Sequence, residues 1–96
     1  MKWMIAALLL LAAPAWASDY DRADTLGRAI VDTGYATEYR VGVRTLNLTI
    51  SSLLPGDARA IATAMCQAGA QQGLAGWRVR VFLPVGDRPA AACGVR

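Results

Sequence analysis

Residues 39–52 read Tyr-Arg-Val-Gly-Val-Arg-Thr-Leu-Asn-Leu-Thr-Ile-Ser-Ser, and the fold turns on this stretch. It is rich in β-branched residues and has no proline, so it reads as a strand. Its alternation changes phase partway. Val41 and Val43 stand at odd positions, Leu46, Leu48 and Ile50 at even ones, and a period of two cannot bring both sets to one face. One extra residue near Arg44-Thr45 repairs the register, so a β-bulge or sharp bend is expected there. Val41, Val43, Leu46, Leu48 and Ile50 then face inward, and Arg40, Arg44, Asn47 and Thr49 face outward.

On the N-terminal side of this strand, residues 19–33 carry an amphipathic helix. Asp19, Asp21 and Asp24 favour the positive end of a helix dipole. Tyr20, Ala23, Leu26, Gly27, Ile30 and Val31 form an apolar stripe at helical spacing. Asp24 and Arg28 make an i,i+4 pair, and Gly34 supplies the C′ position after Thr33. On the C-terminal side, Leu54-Pro55-Gly56-Asp57 turns into a second helix with Asp57 as the expected N-cap. Its buried stripe is Ile61, Met65 and Ala68, flanked by Ala58, Ala62, Cys66 and Gly69, and Gly73 ends it.

Residues 77–83 alternate cleanly, with Trp77, Val79, Val81 and Leu83 on one side and Arg78, Arg80 and Phe82 on the other. Residues 85–89 form a turn, and residues 90–95 return as a short strand. A loop of odd length pairs Val81 with Cys93 and Leu83 with Ala91, which sends Cys93 to the apolar face where Cys66 reaches it. The sum is an α+β domain of order α-β-α-β-β: a small two-layer sandwich, three strands with both helices on one face, and one disulfide. The two long strands are either parallel neighbours or separated by the last strand. Pro89 and the shortness of that last strand favour an edge for it.

Residues 1–17 have the form of a secretory signal peptide: Lys2 in a short n-region, an apolar run too short for a membrane span, and Ala15-Trp16-Ala17 as a small-x-small cleavage site. Cleavage leaves residues 18–96 as a single small domain of 79 residues, exported to the periplasm or beyond, with no stable membrane insertion. Loss of Lys2 takes the net charge from +3 to +2, carried by nine arginines against seven carboxylates, without lysine or histidine. That balance is well short of a nucleic-acid-binding tail. Thirteen of the 38 hydrophobic residues in this part are alanines, so the core is thin. Cys66 and Cys93 are the only cysteines, and in an oxidising compartment they are expected to pair, closing a loop of 28 residues.

The lack of histidine removes the commonest general base and metal ligand. The carboxylates are scattered through helix ends and turns, with no pair held for acid–base work. No enzyme activity, cofactor or metal is therefore expected. What stands above an ordinary surface is the outer face of the sheet, where Arg40, Arg44, Arg78 and Arg80 project with Phe82 among them. Guanidinium forks suit carboxylates and phosphates. The expected role is a small exported, non-enzymatic binding module that uses this face or a strand edge to engage an envelope protein or an anionic ligand. A secreted inhibitor or effector acting on a partner outside the cell is the alternative.

Overall fold

The computed structural model describes residues 18–96. The segment 1–17, read as a signal peptide, lies outside the described residues. Six elements follow in the order α1 (Asp19–Asp32), β1 (Ala36–Gly42), β2 (Thr45–Ile50), α2 (Pro55–Gln71), β3 (Arg78–Phe82) and β4 (Ala91–Gly94). The strands form one mixed sheet in the order β1-β2-β3-β4. The outer pairs are antiparallel and the central pair, β2 with β3, is parallel. The class is the α+β sandwich expected, with four strands in place of three.

The fourth strand comes from the stretch that changes phase. Gly42 pairs with Thr45 and Val41 with Leu46, leaving Val43 and Arg44 as a two-residue loop. A two-residue turn and a one-residue bulge make the same correction, since each sets odd positions opposite even ones; here the chain reverses instead of continuing. Arg44 takes a left-handed conformation, φ 50°, which costs a non-glycine residue about 1 to 2 kcal/mol. The turn is pinned by Thr45 Oγ1 donating to the Val43 carbonyl at 2.9 Å and by Arg78 N donating to the Arg44 carbonyl at 2.9 Å. Val43, expected inside, stands 93% exposed at the tip. Leu46, Leu48 and Ile50 are buried as the alternation requires, with Val79 and Val81 beside them on β3.

Helix α1 starts where Ser18 caps it, its Oγ accepting from Asp21 N at 3.1 Å. It ends at Thr33, followed by Gly34 at φ 86°. Ala23, Leu26, Gly27, Ala29 and Ile30 form its buried side, while Tyr20, placed in the stripe by spacing, is largely exposed at the first turn. The N-cap of α2 is Leu54, with Pro55 in the first turn, and not Asp57. Proline at this position has its φ already helical and no N–H to satisfy, so the helix begins three residues earlier than a cap at Asp57 would place it. The buried side of α2 is the expected one: Ala58, Ile61, Ala62, Met65, Ala68 and Gly69.

Both helices cover the same sheet face, α1 over β1 and α2 over β3 and β4. Two glycines permit the close approach. On α1, the Tyr39 ring lies directly on Gly27, where an added Cβ would come within 2.6 Å of Cγ. On α2, Gly69 admits Val95, whose Cγ2 lies 3.2 Å from such a Cβ. An Ala in a helix interior usually gains roughly 0.5–1 kcal/mol over Gly. Gly27→Ala is expected to reverse that sign and lose about 1 to 3 kcal/mol, because the ring must move. A thermal melt showing a higher Tm for the variant would sink this account of the contact.

The β3–β4 hairpin keeps the odd parity but with a different register: Val79 faces Cys93 and Val81 faces Ala91. The loop is wider by one pleat repeat because β3 stops at Phe82, ahead of Pro84, and β4 starts after Pro89. Proline has no N–H to give a ladder. Cys93 still points to the helices and is bonded to Cys66, with the two Cα atoms 6.4 Å apart. β4 takes the edge. It is held further by Val95, whose N–H donates to the Trp77 carbonyl at 2.7 Å and whose carbonyl accepts from Gly76 N at 3.0 Å.

Candidate functional site

The open face of the sheet is ordered by strand register. Arg40, Asn47, Arg80 and Ala92 lie opposite one another across β1 to β4 and form one row. Glu38, Thr49 and Phe82 form the next row, and Gly42, Thr45, Arg78 and Gly94 the row on the other side. Neighbouring strands are about 4.8 Å apart, so the Arg40 and Arg80 backbones stand about 10 Å from each other with Asn47 midway.

Strand alternation alone puts Arg40, Arg78 and Arg80 on this face, and the register brings Arg40 and Arg80 into a single row. Arg78 is one row away and exposed. Arg44 lies in the β1–β2 turn, its guanidinium Nη1 3.8 Å from the position a Cβ on Gly76 would take. Phe82 is half-buried, with the Arg80 guanidinium carbon 5.5 Å from its ring centroid. That is a cation–π contact of about 0.5–1 kcal/mol at an exposed site, and it fixes where the Arg80 charge sits.

Three residues outside the arginine–Phe82 set belong to the same place. Glu38, Asn47 and Thr49 join Arg40, Arg80 and Phe82 around a shallow concavity of about 400 Å³. Thr49 Oγ1 donates to Glu38 Oε1 at 3.3 Å. Asn47 Oδ1 is screened from solvent and has no hydrogen-bond partner, an arrangement that costs free energy wherever it persists. Among the described residues the ion pairs are Arg22–Asp19 and Arg28–Asp24, both within α1. The guanidinium groups of the open face therefore carry their charge without a carboxylate partner at ion-pair distance.

The other polar clusters hold the fold together. Tyr39 OH donates to Asp24 Oδ1 at 2.7 Å, and Arg28 Nη2 donates to Asp24 Oδ2 at 2.9 Å. The hydrogen bond to Asp24 pushes the Tyr39 phenol above its ordinary value. This triad fastens β1 to α1 beside the Gly27 contact. Ser52 Oγ donates to Asp57 Oδ2 at 2.7 Å and accepts from Leu54 N at 3.1 Å, which closes the turn into α2. Among the described residues no helix is long and apolar enough to cross a membrane, and no group of three or more His, Cys, Asp or Glu could hold a metal ion.

Both sheet edges are blunted against strand addition. β1 has an irregular register between Ala36 and Glu38, where Thr37 Oγ1 donates to the Thr49 carbonyl at 3.2 Å. β4 is four residues long and follows Pro89. Bulged, charged and very short edges are the usual means of discouraging pairing with another chain. Compared with protein-family models, with curated proteins and with solved structures, the chain matches none.

Proposed function

We propose that this is an exported, non-enzymatic binding module whose open sheet face engages an anionic ligand or the acidic surface of an envelope protein. The observation that carries the reading is the middle row, where Arg40 and Arg80 flank Asn47 on a face that no helix covers. The blunted edges support the face over strand addition. The disulfide fits an oxidising compartment, as export through residues 1–17 would provide.

Arg40→Glu with Arg80→Glu is the direct test. Each exposed charge contact is worth up to about 1 kcal/mol, so reversing two should weaken binding to immobilised poly-L-glutamate more than tenfold. The circular dichroism spectrum should stay unchanged, because neither side chain is in the core. Binding by the unmodified protein should also fall as salt rises. If the double variant binds as before, while a change on the helix side or in β4 abolishes binding, the arginines are a solvated surface and the reading fails. Export has its own check: the intact mass of protein from the periplasm or medium should begin at Ser18, and a mass retaining residues 1–17 would contradict cleavage.

A further inference from the structure

Resting on that reading, we infer that the ligand of the open face is an acidic polysaccharide, a chain of sugars bearing uronate carboxylates. Any anion would suit two arginines, so the rest of the concavity decides. Glu38 places a carboxylate within it, and a ligand made only of negative charge would be repelled there. Asn47 Oδ1 is an acceptor for which the folded chain presents no donor. Thr49 adds a hydroxyl. The site therefore asks for a ligand that is anionic at one point and rich in hydrogen-bond donors at others.

Uronate sugars have this composition. Their carboxylates suit the guanidinium forks of Arg40 and Arg80; the sugar hydroxyls can donate to Glu38, and to Asn47 Oδ1 once the side chains that screen it turn onto the ligand. The exposed part of Phe82 offers an apolar surface to the C–H face of a pyranose ring. The concavity, about 400 Å³, falls in the range of small-ligand sites. An acidic peptide would meet side chains only, since both edges that could give it main-chain pairing are blunted. Phosphate carries charge without the array of hydroxyl donors.

The experiment is calorimetric titration of the domain with a galacturonate tetramer, a neutral glucose tetramer, poly-L-glutamate and inorganic phosphate. Saturable binding is expected for the galacturonate tetramer, at least tenfold tighter than for the neutral one, and lost in Arg40→Ala with Arg80→Ala. Asn47→Ala removes an oxygen with no partner, so it leaves the fold intact; it should weaken the galacturonate tetramer severalfold and leave poly-L-glutamate unchanged. Phe82→Leu, which keeps an apolar side chain and removes the ring, should also weaken the galacturonate tetramer. Arginine-dependent binding of poly-L-glutamate or phosphate, with no preference for galacturonate over the neutral tetramer, would overturn the polysaccharide and keep the anion-binding face. Loss of all arginine-dependent binding would overturn both. An Asn47→Ala variant that binds the galacturonate tetramer unchanged, or that weakens poly-L-glutamate equally, would also overturn the inference.

Discussion

Replacing Cys66 and Cys93 together by alanine is expected to lower the unfolding free energy by about 3.5 kcal/mol, the chain-entropy value for a loop of this length. The loss is large for this molecule. A domain of this size is stable by roughly 0.05–0.15 kcal/mol per residue, and its core leans on alanines: Ala23, Ala29, Ala36, Ala58, Ala62 and Ala68 are all buried. Alanine contributes little apolar area, so the crosslink supplies a correspondingly greater share. Its position matters as well. β4 is an edge strand of four residues whose inward side chains are Ala91 and Cys93, and the bond to α2 fastens it from the helix side. Chemical denaturation of the oxidised protein and the double variant should give a clearly lower midpoint for the variant, with binding at the open face retained below the transition. Equal midpoints, or free thiols titrating in the native protein, would refute this role.

Much of this arrangement could be read from residue order, and the exceptions have definite causes. The α2 stripe was legible because Ile61, Met65 and Ala68 repeat at helical spacing with small residues beside them. The disulfide followed from a count of two. The inward direction of Cys93 followed from parity, which any odd loop preserves, while the register within that parity depended on where prolines end a ladder. The open face was legible in part: alternation put Arg40, Asn47, Thr49, Arg78 and Arg80 on it, without saying which of them are neighbours. Asn47 and Glu38 could join the site only once β1 and β2 were known to be separate, paired strands, because cross-strand neighbours are set by register and not by sequence spacing. The hairpin itself was hidden. Two-residue turns are usually announced by Asn-Gly or Asp-Gly, whereas this one is Val43-Arg44, a pair that looks like more strand. Gly42 beside it was the available clue.

That hidden turn sets up the second large effect, and with it a test of the topology. Leu48 sits in β2 between Tyr39 and Val81, with no exposed surface. Leu48→Ala should cost roughly 2 to 5 kcal/mol, the removed methyl groups plus the cavity they leave. Among the described residues nine of the 17 other core side chains are alanine or valine, too short to reach into that space, which favours the upper part of the range. Val43→Ala should change stability by no more than about 0.5 kcal/mol, as for an ordinary surface position. The two variants together separate the hairpin from one continuous bulged strand. In the bulged strand Val41, Val43, Leu46 and Leu48 all point inward, so both substitutions would be costly. In the hairpin the chain reverses at Val43 and Arg44, and only the substitution at Leu48 is felt. A loss above about 1 kcal/mol at Val43, measured by urea titration of both variants, would restore the single strand and remove the register that places Arg40 opposite Asn47 and Arg80.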